Sequence, residues 1–280
     1  MTAKYVIPND ARFAPARLRR TVLEMAYAGA TVHIGCAFSI VELLSVLYRS
    51  HLRYPDNDPR AEGRDFLVLS KGHGVMAQYA CMRELGWISD AHVNGYFSDG
   101  SDLKGLSDSR VPGLEVTSGS LGHGFSVGVG MAIGVKRLGT DQKVFAIVGD
   151  GELNEGPIWE GALVAAHQRL GNLMLIVDKN GFQAMGTTDD VVGLGSLTAK
   201  FDSFGFETMD VDGHEEVAID SAIRALWIRA PDKPKALIAR TVKGKGVPFM
   251  EADNRWHYTR LNADTFAQAM AAVDGRQERA

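Results

Sequence analysis

The sequence predicts an α/β fold, a doubly wound and mainly parallel sheet with helices on both faces. Three observations predict it. Four short apolar runs rich in β-branched residues, 66–69, 144–148, 173–177 and 236–239, look like strands buried on both faces, and 206–211 is a candidate fifth. Stretches of helical period lie between them, and strands that alternate with helices pair in parallel. With 280 residues, the chain can bury about three-quarters of its unfolded surface without a disulfide or metal staple.

Taken in chain order, the first helix covers 17–28 and the second 40–51, where Ser39 and Glu42 form a capping box. Strand 66–69 leads into helix 75–85. The uncharged run 116–135 carries Thr117, Ser118, Ser120, His123, Ser126 and several glycines, too polar to span a membrane. It reads instead as helix 121–138 entered through a Gly-rich turn. After strand 144–148, Pro157 suits the first turn of helix 158–170, and Gly171 closes that helix before strand 173–177. Helix 215–228 separates the last two strands. No repeat or low-complexity tract interrupts the chain, which predicts one domain over 1–280 with an N-terminal extension to about residue 14 and a C-terminal arm from about residue 243.

A formal net charge of −4 lacks the basic excess of a nucleic-acid protein and leaves small molecules or proteins as partners. Two cysteines, Cys36 and Cys81, make no disulfide framework, and the first ten residues hold no signal-length apolar stretch; both features predict a cytoplasmic protein without a membrane anchor. Glycine is in excess, 31 of 280 residues, against a usual roughly 7%.

Chemistry concentrates at two strand ends. Run 144–148 ends in Gly149-Asp150-Gly151, and run 173–177 ends in Asp178-Lys179-Asn180-Gly181. Ligands of open parallel sheets sit beyond the carboxyl ends of the strands. The Asp150 carboxylate and the Asn180 amide are hard oxygen donors suited to Mg²⁺, with Ca²⁺ possible. A magnesium ion with so few protein ligands completes its shell with phosphate oxygens and water, which implies a diphosphate. The turn Ser118-Gly119-Ser120-Leu121-Gly122-His123-Gly124 offers bare N–H groups and a helix N-terminus to such an anion. His33 and His73 lie among glycines at element ends, where an imidazole can face a cleft, whereas His51, His92, His167 and His214 read as ordinary hydrogen-bonders. Cys36 and Cys81 show no Cys-x-x-Cys spacing and no histidine nearby in sequence.

The stretch from Gly149-Asp150-Gly151 to Asn180 resembles the thiamine diphosphate motif, and nearly the whole chain resembles the N-terminal half of a transketolase. The resemblance also rests on Thr31-Val32-His33-Ile34-Gly35, Leu69-Ser70-Lys71-Gly72-His73, the run Pro112-Gly113-Leu114-Glu115-Val116-Thr117-Ser118-Gly119-Ser120-Leu121-Gly122, and Thr241-Val242-Lys243-Gly244-Lys245-Gly246-Val247. It implies the diphosphate-binding domain of that fold. It further implies that Asp150, Asn180 and the Phe182 carbonyl hold the metal, that Gly119, Gly149, Gly151 and His73 lie against the diphosphate, and that Leu121 contacts the aminopyrimidine. His33, His73 and His257 would line the substrate channel. Glu155 would meet the partner's cofactor-activating glutamate.

The activity implied is transfer of a two-carbon glycolaldehyde unit from a ketose phosphate to an aldose phosphate. Complete transketolases run to well over twice this length, so the resemblance implies one subunit of a split enzyme. A C-terminal pyrimidine-domain chain would be its partner in a 2+2 heterotetramer and would bring the activating glutamate and most phosphate-binding groups. The alternatives are the alpha-type subunit of a 2-oxo acid dehydrogenase, a deoxyxylulose-phosphate synthase fragment, or a degenerate structural subunit; His33 and the segment from Ser70 to His73 favour transketolase. Several positions depart from the family. Leu106 stands where a histidine usually meets the donor's terminal hydroxyl, which leaves donor specificity open; His123 replaces a glutamine, and Phe182 and Ala184 replace aliphatic residues.

Overall fold

The apolar runs pair as their pattern requires. A computed structural model of the chain, which describes residues 10–277, has five parallel strands, β1 (Phe66–Leu69), β2 (Val144–Gly149), β3 (Leu173–Lys179), β6 (Glu207–Asp212) and β7 (Lys235–Arg240), in the order β1-β2-β3-β7-β6. β4 (Phe182–Gln183) and β5 (Gly186–Thr187) make a separate antiparallel hairpin directly after β3.

Residues of β2, β3 and β7 alternate between two cores, because successive side chains of a strand point to opposite faces. Phe145, Ile147, Met174, Ile176, Leu237 and Ala239 pack toward α1 (Pro15–Ala28), α2 (Ile34–Phe38), α3 (Val41–Val46), α4 (Val75–Glu84), α5 (Asp90–Asn94), α10 (Glu216–Arg229) and α11 (Ala263–Gln277). Val144, Ala146, Val148, Leu173, Leu175, Val177, Ala236 and Ile238 pack toward α6 (His123–Leu138), α7 (Gly156–His167) and α9 (Leu197–Ser203). The remaining helix, α8 (Thr188–Val192), follows the hairpin. The five core strands read from the sequence all form, and helices cover both faces.

Three local expectations are corrected. The stretch 40–51 is α3 followed by a wider turn, Leu47–His51, and the Ser39 hydroxyl caps nothing: it donates to Cys36 O (3.1 Å) and to Asp178 Oδ2 (2.7 Å), a buried carboxylate that outcompetes the helix end. Glu42 pairs instead with Arg19 and His214. Helix α7 ends at His167, and the left-handed residue beyond it is Arg169 (φ 48°) rather than Gly171. Gly171 serves a tighter need, since a Cβ there would lie 1.7 Å from the Pro231 carbonyl oxygen. Helix α6 starts at His123, which leaves Leu121 in the turn before it. The short helices α2, α5, α8 and α9 are too brief to show a hydrophobic period, and α11 folds back against α1.

Candidate active site

Parallel strands place their carboxyl ends along one edge, and there the chain encloses a cavity of about 330 Å³. It is lined by His33, His73, Gly119, Leu121, Gly149, Asp150, Gly151, Asn180, Phe182 and His257, together with Leu106 and Ala184. Of the site residues read from the sequence, Glu155 alone stays outside; it is exposed at the start of α7, beside Gly122 and Pro157.

The strand-end wall is a closed polar network. Lys71, directly after β1, reaches across β2 to the Asp178 carboxylate at the end of β3, and both side chains are fully buried. Asp178 also accepts from Ser39, Thr241 and Asn180 Nδ2 (2.8 Å), so the Asn180 amide is turned with its oxygen toward Phe182 N (3.0 Å) and the cavity. Burial opposes ionisation of Asp178, but Lys71 beside it holds the carboxyl below its usual range. Asp150 accepts from the backbone N–H groups of Gly151 (2.9 Å) and Gly181 (2.6 Å). Burial, reinforced by the nearby Asp178 charge, pushes its carboxyl up to about 7. A carboxylate so disfavoured is one that a divalent cation would stabilise.

Glu152 accepts from Ser70 Oγ (2.5 Å), Gly122 N (2.9 Å) and Gly149 N (3.2 Å), while Ser70 Oγ accepts from Phe125 N (3.0 Å). These bonds engage part of the Gly-rich turn inside the fold, while its Gly119 and Leu121 line the cavity. The N-terminal amides of α6 at Gly122 and Phe125 are already bonded to Glu152 and Ser70, and Gly124 packs so tightly on Ser70 that a Cβ would lie 2.7 Å from its Cα. The glycines of the cavity are needed for close approach: a Cβ on Gly119 (φ 158°) would come 2.7 Å from Leu106, and one on Gly151 2.6 Å from Gln183.

The facing wall is made of rings. His33, His73 and His257 have mutual centroid distances of 5.1–5.7 Å, with Tyr258 4.6 Å from His257. His33 is held in the left-handed region (φ 70°) while its N–H donates to His257 O (3.1 Å), which aims its ring into the cavity. Burial, then the charges of Lys243 and Lys71, lowers the His33 pKa; burial and Lys71 lower that of His73 well below its usual value; burial and Lys243 bring His257 down to about 3. All three imidazoles are therefore neutral at pH 7. Lys243 Nζ lies 2.7 Å from His257 Nδ1 and donates to it, which leaves Nε2 as the proton-bearing nitrogen.

Sequence reasoning missed Glu152 and the buried cations. Lys71 and Lys243 stand inside segments that carry the family resemblance, and a charge placed at the end of an apolar strand run, as Asp178 is, was the signal available. Cys36, without a partner in sequence, lies 3.7 Å from His257 Nδ1 in space, and burial pushes its thiol up.

Two observations fit the cavity to a polar, metal-bound ligand. Asp150 and the Asn180 amide oxygen converge on it from adjacent strand ends, and His33 Nδ1 and Gln183 Nε2 are buried polar atoms without a partner among the described residues. Fold and cavity together define an α/β domain built to hold a diphosphate-bearing cofactor at its strand ends. The chain belongs to the transketolase family: the family model of the transketolase thiamine diphosphate binding domain matches residues 16–276. It is 37% identical over 261 residues to one subunit of the apulose-4-phosphate transketolase of Phocaeicola vulgatus, covering 93% of this chain and 92% of that one. It is 35% identical to one subunit of the 6-deoxy-6-sulfo-D-fructose transketolase of a Clostridium species, covering 92% of this chain and 94% of that protein. The transketolase structure from Campylobacter jejuni superposes with a TM-score of 0.85 at 25% identity, over 95% of this chain but 43% of that longer one. Among the described residues no helix is long and apolar enough to cross a membrane.

Proposed function

We propose that this chain is the cofactor-holding, N-terminal subunit of a two-chain transketolase. In this reading it works with a C-terminal pyrimidine-domain subunit, in a 2+2 heterotetramer, on sugar phosphates. The observation that carries it is the meeting, in one cavity, of Asp150 and Asn180 with His33, His73 and His257. Asp150 Oδ, Asn180 Oδ1 and the Phe182 carbonyl would hold Mg²⁺, or Ca²⁺; Gly119, Gly149, Gly151 and His73 would lie along the diphosphate, and Leu121 against the pyrimidine ring. When bound, thiamine diphosphate supplies the carbon nucleophile that breaks and remakes the ketose carbon–carbon bond.

The work of this chain is to bind, orient and move protons. Each step of the transfer makes or consumes an alkoxide, and neutral imidazoles at His33, His73 and His257 can both give and take a proton at the sugar hydroxyls. Burial foremost, and then the charges of Lys71 and Lys243, keep them neutral. Glu155, exposed at the start of α7, is available to the partner's activating glutamate. Two buried free thiols suit a reducing compartment, the cytoplasm. Mixing the purified chain, thiamine diphosphate and Mg²⁺ with and without the partner chain tests the proposal: ketol transfer is expected in the mixture only, and turnover by the chain alone would overturn the split arrangement.

A further inference from the structure

Cys36 lines the cavity, yet the proposed reaction gives it no task. It stands in α2, three residues after His33, and the turn Asn254–His257 returns to the same wall, so that Cys36 Sγ lies 3.7 Å from His257 Nδ1. One ring nitrogen of His33, one of His257 and the Cys36 sulfur all lie within 4.8 Å of one another. Among the described residues no other three His, Cys, Asp or Glu side chains come together in this way. The spacing has a chemical meaning. Around a tetrahedral zinc-type ion, with sulfur about 2.3 Å and nitrogen about 2.0–2.1 Å from the metal, two such ligand atoms sit about 3.5 Å apart. His33 Nδ1 is buried without a partner among the described residues, and Cys36 is a free thiol.

We propose that His33, Cys36 and His257 form a second metal site, for a divalent ion of the zinc class, and that this ion closes the cavity to substrate. Two imidazole nitrogens and a thiolate suit such an ion, whereas the oxygen donors of Asp150, Asn180 and Phe182 suit Mg²⁺. Donor softness therefore sorts the two ions within one cavity. The ion enters through the cavity itself, which all three ligands line. As the metal–sulfur bond forms, the Cys36 proton passes to water, and three protein ligands leave the fourth position open toward the cavity. Lys243 competes with the ion. It donates to His257 Nδ1 (2.7 Å) and must give that nitrogen up, keeping Asn254 Oδ1 (3.0 Å) as its partner. An imidazole whose lone pair is on a metal takes no proton, so inhibition follows from the sugar-transfer reading above; binding of the ion does not depend on that reading.

The first probe is Co²⁺, because a thiolate bound to it gives a near-ultraviolet charge-transfer band that oxygen ligands do not give. In titrations of the full chain with Mg²⁺ in excess, Co²⁺ is expected to raise that band and Zn²⁺ to displace it. Cys36→Ser and, independently, Cys36→Ala are expected to abolish the band and to lower Zn²⁺ affinity by at least about a hundredfold, since losing only a hydrogen-bond partner of a ligand already costs about ten- to a hundredfold. Cys81→Ala, in α4 and away from the cavity, should change neither. Lys243→Met removes the competing ammonium and should tighten Zn²⁺ binding by about tenfold, a gain that a damaged fold would not produce. No band, a band that survives the loss of Cys36, or unimproved binding by Lys243→Met overturns the site. In the reconstituted two-chain enzyme with saturating Mg²⁺, Zn²⁺ is expected to inhibit in competition with the sugar donor, and the Cys36→Ser enzyme to resist it; equal inhibition of both overturns the proposed closure. If that enzyme transfers nothing, the functional reading fails separately, and the Co²⁺ titration still decides the site.

Discussion

On the strand-end wall of the cavity, buried Lys71 and Asp178 bond to each other and to half-buried Asn180, and buried Ser70 bonds to buried Glu152, whereas on the facing wall His33 keeps a buried Nδ1 without a partner among the described residues and His73 meets its neighbours through ring faces. The first wall has turned its hydrogen bonds on itself and is rigid before any ligand arrives. The second holds its groups neutral and uncommitted. The contrast teaches how one cavity can both anchor a charged cofactor and exchange protons with a changing substrate: preorganisation is concentrated where geometry must not move.

The comparison can be broken most forcefully at Asp178. Asp178→Ala leaves the Lys71 ammonium buried without its partner, a loss of about 3–5 kcal/mol that should lower the melting temperature by roughly 10 °C. A melting curve close to wild type would mean that the polar wall is not what holds the strand ends together. Next comes Asp150→Ala, which is expected to weaken Mg²⁺-dependent thiamine diphosphate binding about a hundredfold in calorimetry. Equal affinity with and without Mg²⁺ in the wild type would remove Asp150 from any metal site.

The histidine wall predicts a pH effect. The folded pKa of His73 lies well below the ordinary imidazole value, so below about pH 6.5 the unfolded chain takes up a proton that the folded chain refuses. Stability from this group is complete above that pH and is lost as pH falls, by up to about 1.4 kcal/mol per pH unit. His73→Gln should flatten the decline in denaturant midpoint between about pH 6.5 and 5; a slope identical to wild type would show that His73 is already charged in the fold. The smallest effect is expected at Leu106, on the wall of the cavity. Leu106→His restores a hydrogen-bond donor to an apolar wall and should change relative kcat/KM among ketose phosphates by about tenfold, and an unaltered donor spectrum would show that the position does not read the sugar.

Much of this was legible along the chain. The alternation of apolar runs with helical stretches is a local property, and it specified the five core strands, both helical layers and the edge on which ligands would gather. Gly149-Asp150-Gly151 and Asn180 were legible for the same reason, since each terminates a strand whose neighbours are apolar. Less legible were the partners. Ser39 looked like a helix cap from its spacing to Glu42, and only the arrival of Asp178 at the end of β3 shows why its hydroxyl turns elsewhere. The N-terminus of α6 looked free for an anion until Glu152 and Ser70 were found on its amides.

The sequence by itself determined the fold class, the family and the strand ends that form the site, because these follow from periodicity and from motifs read a few residues at a time. Tertiary structure alone decided which groups face one another. Lys71 and Asp178 are 107 residues apart, and Cys36, Lys243 and His257 meet only after the chain has returned across the sheet. Whether a charge is buried, paired or left open depends on those long-range meetings, and so does the protonation state of every histidine in the cavity.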